Sequence, residues 1–190
     1  MKIFIIFAVL IIGFIIFYLY EAYSFDRYIK NSKSSYDMKI IIDKNAPVLS
    51  SNQVEINAPI DVVWNKLTYI KDWTSWQKDV TKTIVYGNIA EETNFDWKAN
   101  GLSFSSKIHT CVPKKYFGWT GKTFGAYAIH NWNFESDGNK TTVKVEECLR
   151  GILPKLFKNY FQDNLDKSIV KNLNELKIAS EQDYKALPSN

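Results

Sequence analysis

Two histidines, two cysteines and a scatter of carboxylates are the side chains of this 190-residue chain that could do chemistry. His130 and Glu147 have the most suggestive placement, because they flank a turn signal at matching distances. An imidazole opposed to a carboxylate can anchor a ligand's polar group or pass protons in enolisation chemistry. It can also simply satisfy itself and close one end of a sheet, since a carboxylate on an apolar face is costly unless paired. The self-satisfied pair is the favoured reading. No nucleophile elbow, phosphate loop or metal-ligand cluster accompanies the two residues, so no catalytic residue is assigned and His130 and Glu147 stand only as candidates. Cys111 and Cys148 lack metal or redox spacing, and two histidines cannot build a His-rich site, so neither metal nor cofactor is expected.

The pair is positioned by the stretch His130 to Gly151, which alternates apolar and polar residues on both sides of Asp137-Gly138-Asn139-Lys140. Gly138-Asn139 tolerates the positive φ of a two-residue hairpin turn. That turn sets Asp137 opposite Lys140, Phe134 opposite Val143, Trp132 opposite Val145 and His130 opposite Glu147. Side chains alternate along strands, so these last three pairs and Leu149 share one face. Glu146 falls on the other.

A second hairpin repeats the logic at Asn100-Gly101. Ala99 opposes Leu102, Trp97 opposes Phe104 and Phe95 opposes Ser106. The inward set is expected to continue through Ile108, Thr110 and Val112, leaving His109 and Cys111 outward, with His109 a surface residue. Before this hairpin come a strand at Gln53–Ile56, a helix from about Pro59 to Tyr69, a short helix carrying Trp73 and Trp76, and a strand at Val80–Tyr86. Phe117 and Trp119 mark a further strand. Phe157, Phe161, Leu165, Ile169, Leu173 and Leu176 form one apolar stripe, predicting a long helix over about Pro154 to Glu181.

The composition is that of a globular chain, 46% hydrophobic and 15% aromatic. Residues 1–46 carry six Lys/Arg and four Asp/Glu, and residues 47–190 carry 18 and 16. So even a balance leaves no electrostatic footprint for nucleic acid. Ile3 to Tyr20 is an unbroken apolar run of 18 residues. As a helix it would span about 27 Å, near the thickness of a bilayer's hydrocarbon core. Residues 1–22 therefore read as a single-pass membrane anchor, with membrane contact through residues 3–20. A cleaved signal ending near Ala22-Tyr23-Ser24 is the alternative. Arg27, Lys30 and Lys33 after the run, against Lys2 before it, favour a cytoplasmic C-terminal domain, whereas the signal-like start with its two-residue N-tail argues the other way. Residues 23–46 read as a connector and 47–190 as the folded domain.

The element order, one strand, two helices, six strands and a long helix, resembles the START-like (SRPBCC) superfamily and its polyketide cyclase/dehydrase-like branch. The resemblance rests on Ile56-Asn57-Ala58-Pro59 with Val63-Trp64, Trp73 and Trp76, Phe95-Asp96-Trp97, and Gly118-Trp119-Thr120-Gly121. His130-Asn131-Trp132-Asn133-Phe134, Thr142-Val143, Glu146-Glu147 and Gly151 complete it, over roughly Val48 to Ala179. Glu92 departs from the family, which often has glycine there, and puts the local turn in doubt.

The resemblance implies an α+β helix-grip fold, a curved seven-stranded antiparallel sheet around the C-terminal helix, enclosing an apolar cavity. It also places the two cysteine strands about 14 Å apart, too far for a disulfide. The expected ligand-binding residues are Phe95, Trp97, Phe104, Ile108, Phe117, Trp119, His130, Trp132, Phe134, Val145 and Glu147, with Phe161 and Leu165 from the helix. The partner expected is a hydrophobic small molecule, lipid or isoprenoid-like, bound or carried by a membrane-tethered protein. A cyclase/dehydratase-like enzyme and a protein-interaction module are the alternatives. Oligomeric state is not readable.

Overall fold

The computed structural model describes residues 2–33 and 40–187, with side chains from Phe4 onward. Helix α1 (Lys2–Asn31) precedes strand β1 (Val48–Ile56), helix α2 (Ile60–Thr68), a 3-10 turn at Ile70–Asp72 and the four-residue helix α3 (Trp73–Trp76). Six strands follow: β2 (Val80–Val85), β3 (Asn94–Ala99), β4 (Leu102–Val112), β5 (Tyr116–Thr123), β6 (Ala126–Asp137) and β7 (Lys140–Arg150). Helices α4 (Ile152–Leu156) and α5 (Lys158–Ala186) end the described chain. The seven strands form one antiparallel sheet in the order β1-β7-β6-β5-β4-β3-β2, curved around α5.

Both hairpins have the register that their turns predict. Asp137 pairs with Lys140, Phe134 with Val143, Trp132 with Val145 and His130 with Glu147. Ala99 pairs with Leu102 and Trp97 with Phe104. The concave face carries the main core, in which Phe95, Ile108, Phe117, Val143 and Val145 meet Leu165, Ile169, Leu173 and Leu176 of α5. Glu92 turns the chain before β3 at φ 69°, its N–H donating to the Ile108 carbonyl at 2.8 Å.

Three expectations need correction. The stripe from Pro154 is not one helix: Phe157 takes φ −120° and ψ 44°, which breaks α4 from α5. Its side chain consequently lies exposed rather than on the stripe. A β-bulge in β4 also reverses parity. Ile108 pairs with Trp119 but Thr110 with Gly118, leaving His109 as the extra residue. An inserted residue shifts every later side chain to the opposite face. Cys111 therefore pairs with Phe117 on the concave side, while Thr110 shares the convex side with Gly118.

The third correction concerns the convex face, which is not solvated where β5 to β7 pass beneath α1. Within the stretch read as a connector, α1 continues to Asn31, and Phe25, Ile40 and Ala46 pack with Tyr127, Ile129 and Cys148 in a second core. Phe25 is fully buried and stacks on Tyr127 with centroids 5.1 Å apart. Asn131 donates to the Ile40 carbonyl at 2.8 Å, fastening the returning chain to the sheet. This layer buries His109, against the expectation of a surface residue. Met38 and Lys39, read as the start of a short strand, lie outside the described residues.

Polar contacts fix the second layer in place. Lys155 pairs with buried Glu21 at 2.5 Å, Lys122 with Asp26 at 2.7 Å, and Arg150 with Asp43 at 3.2 Å. Glu21 is hidden from solvent, and a buried carboxylate needs such a partner. The half of α1 before Glu21 is different. Its apolar side chains from Phe4 to Leu19 and Tyr20 point outward, and the helix is long and apolar enough to cross a bilayer.

Candidate ligand-binding site

β5, β6 and β7 bring Trp119, His130 and Glu147 into one row, because His130 pairs with Trp119 on one side and Glu147 on the other. The His130 Nδ1 lies 3.0 Å from Glu147 Oε2, and both side chains are largely buried. The imidazole lies against Trp119 at 4.3 Å and parallel to Trp132 at 5.3 Å. Such a pair contributes little net stability, but breaking it would strand a desolvated charge.

All the sequence-predicted residues lie on the concave side, in two groups. Phe117, Phe134 and Trp64 cluster near α2, with edge-to-face rings at 5.9 and 5.2 Å. Val145 is buried among them in the same core, with Leu165 and half-buried Phe161 contributed by α5. Trp97 stacks on Phe104 at 4.6 Å, and its indole N–H donates to Ser106 at 3.1 Å. Phe95 and Ile108 are fully buried. Trp97, Trp119, His130 and Trp132 alone among the predicted set border a void between the sheet and α5.

That space is small. The void between sheet and α5 has a volume of about 20 Å³. It would hold about one water-sized group, whereas small-molecule sites commonly enclose roughly 300–1,000 Å³. The open apolar cavity anticipated from the resemblance is thus closed in this structure. Trp73 closes it. Its ring touches Phe95, Trp97 and Trp119 at centroid distances of 5.8, 5.8 and 5.5 Å, and its N–H donates to the Leu67 carbonyl at 2.7 Å.

Leu67, Trp73, Trp76, Gln77 and Asn172 also line the void and were missing from the sequence-derived site. Trp73 and Trp76 carried a usable signal: two tryptophans on one side of a very short helix need an apolar destination. Asn172 carried none, being one polar residue among many on α5.

Three nitrogens of the lining are buried without a hydrogen-bond partner: His130 Nε2, Trp76 Nε1 and Trp132 Nε1. Buried polar atoms are nearly always paired, so three on one small void are unusual. In the imidazole tautomer whose Nδ1–H faces Glu147, Nε2 presents a lone pair, whereas the two indoles present N–H donors. Donors and an acceptor together suit a hydroxyl.

The remaining titratable groups lie elsewhere. His109 sits on the convex face, its Nδ1 2.8 Å from the Thr110 hydroxyl, and burial above all, then Lys33 and His130, push its pKa down to about 3. Cys148 is buried on the same face, and burial pushes its thiol up to about 12. Both cysteines are free, as expected. Among the described residues no cluster of three or more His, Cys, Asp or Glu could hold a metal ion.

No protein-family model matches the chain, and no curated protein matches it. Solved structures do. An aromatase/cyclase from Streptomyces is 12% identical and covers 73% of this chain and 96% of its own, with a TM-score of 0.65. A START superfamily protein from Mycobacterium smegmatis is 12% identical over 74% of this chain and 99% of its own, at 0.56. Norcoclaurine synthase from Thalictrum flavum, in complex with dopamine and hydroxybenzaldehyde, is 12% identical over 74% and 88%, also at 0.56. The shared architecture is the START-like helix-grip fold.

Proposed function

We propose that this START-like chain is a membrane-tethered binder or carrier of a hydrophobic, lipid- or isoprenoid-like molecule that bears a hydroxyl group. The observation that carries this reading is the set of three unpartnered nitrogens on His130, Trp76 and Trp132 around one aromatic-walled void. A hydroxyl can donate to His130 Nε2 while accepting from an indole N–H, and the surrounding tryptophans offer flat apolar surface. The site also suits delivery from a bilayer. His130 is four residues from the start of β6, about 13 Å along the strand from the end that α1 enters.

A molecule larger than the void needs room, and α3 is the element that can give it. It is four residues long and carries the filling side chain, Trp73. Binding therefore couples to displacement of Trp73, and affinity is reduced by the cost of that opening. The membrane tether is supported by the outward-facing apolar half of α1. The packing of Phe25 and the Glu21–Lys155 pair supports retention of that helix rather than cleavage near Ala22.

A second reading, a protein-interaction module with a filled interior, is favoured by the void's size. The cyclase/dehydratase-like reading is weaker, because His130 is the one titratable side chain among those lining the void. Native mass spectrometry of the full chain, extracted from its own membranes in mild detergent, separates them. Wild type should carry a hydroxyl-bearing hydrophobic adduct, and Trp132→Phe, which deletes one N–H and keeps the apolar body, should carry several-fold less. Bare protein in every preparation would overturn the ligand reading and leave the interaction module.

A further inference from the structure

Four large apolar side chains are exposed at one corner of the molecule: Phe124 at 70%, Leu156 at 65%, Phe157 at 56% and Tyr160 at 67%. They come from two places in the sequence that the fold brings together. Phe124 occupies the β5–β6 turn, and the other three span the break between α4 and α5. The turn and α4 are locked to each other: Leu153 N–H donates to the Gly125 carbonyl at 3.1 Å. A Cβ on Gly125 would meet Leu153 Cγ at 2.8 Å, so the approach is close.

The corner is also fixed against α1, at a definite height on that helix. Phe124 stacks on Tyr18 with centroids 5.9 Å apart. Lys155, between the turn and Leu156, sits over the Phe17 ring at 5.6 Å and bonds Glu21. Phe17 and Tyr18 belong to the apolar run that ends at Tyr20, so Tyr18 lies about 3 Å below the end of that run. Whatever contacts Tyr18 shares its depth in a bilayer.

We infer that the Phe124 turn and the α4–α5 corner form a second membrane contact, immersed in the lipid interface beside α1. The inference rests on α1 spanning a bilayer, as in the function proposed above. Aromatic rings with polar tips such as Tyr160 favour this zone, and the exposed Lys158 stem lets its ammonium group reach the headgroups. Two contacts on one rigid body hold the sheet at a fixed tilt, with the β6–β7 turn remote from the lipid. Phe161, the next apolar residue, already packs into the main core, so the corner joins the lipid surface to the interior.

The test places spin labels on the full chain in phospholipid nanodiscs. A Cys111→Ser background suffices, because Cys148 is fully buried. Labels at Phe157→Cys and, as an independent site, Phe124→Cys should show several-fold more collision with oxygen than with a water-soluble nickel chelate, matching Phe14→Cys. A label at Asn139→Cys, in the β6–β7 turn, should show the reverse. Water-like behaviour at 157 and 124 with lipid-like behaviour at 14 would overturn the second contact and leave the anchor standing. Water-like behaviour at 14 would remove the anchor and this inference together. Short inter-label distances at 157 would assign the corner to a second copy of the chain and overturn the inference as well.

Discussion

His130 Nδ1 and Glu147 Oε2 stand 3.0 Å apart across the β6–β7 ladder, a contact on the concave face that the Gly138-Asn139 turn sets in register. Removing the imidazole leaves a desolvated carboxylate, whereas removing the charge leaves a hydrogen bond. His130→Ala should therefore cost about 3 kcal/mol and Glu147→Gln roughly 1 kcal/mol. Urea unfolding of the two variants and of the double variant measures this, and the double should cost less than the sum. Equal costs for the two single variants would refute the pairing.

His109 should make the fold acid-sensitive at an unexpected position. Its folded pKa of about 3 lies below its ordinary value of 6.5, so between those values the unfolded chain binds the extra proton. Stability from this group is complete above about pH 6.5 and falls as pH drops, levelling out below about pH 3. By pH 5 the loss is about 2 kcal/mol. Denaturation at several pH values should show the slope, and His109→Gln should flatten it.

The two thiols should differ sharply toward alkylation. Cys148 is fully buried with its pKa pushed to about 12, while Cys111 is half-buried with a smaller rise caused mainly by burial. At pH 8 the native chain should label at Cys111 alone, and both should label in urea. Oxidant should produce no intramolecular disulfide, since the two side chains lie on opposite faces of the sheet, on strands separated by β5 and β6. Mass mapping of the labelled peptides reads all three outcomes.

Glu92 holds φ 69°, a conformation that costs a non-glycine residue about 1 kcal/mol or more. Its surface pair with Lys107 returns little of that. Glu92→Gly should thus raise stability by up to about 1 kcal/mol, less the entropy glycine loses on folding. Thermal unfolding checks the sign, and a marked loss of stability would show that the side chain matters more than the backbone.

Gly118 should tolerate no side chain. A Cβ there would come within 2.6 Å of His109 Cε1 and 2.8 Å of Asn131 Oδ1. Gly118→Ala should destabilise by about 2 kcal/mol through overpacking of the convex face. Gly118→Ala with His109→Ala should recover most of the loss, measurable in the same unfolding assay.

Much of this molecule was written locally in its sequence. Two-residue turns at Gly138-Asn139 and Asn100-Gly101 fixed both hairpin registers, because period-two alternation lets no one-residue slip keep Trp132 and Trp97 inside. That was enough to pair His130 with Glu147 and to gather the aromatic wall. The bulge at His109 was not legible, since an extra residue has no compositional mark, and it alone sent Cys111 inward. Tertiary packing decided the rest. Trp73 could be assigned to the interior but not to its centre, because how far a short helix drives its ring inward depends on elements distant in sequence. The tail of α1 reads as polar and charged, yet Phe25 is buried and Glu21 paired, since Tyr127, Ile129 and Lys155 arrive from more than a hundred residues away. The sequence by itself determined which aromatic residues of the two hairpins face the interior. Only the tertiary structure decided how little space they leave, and how the helix that can enter a membrane is bound to the sheet behind them.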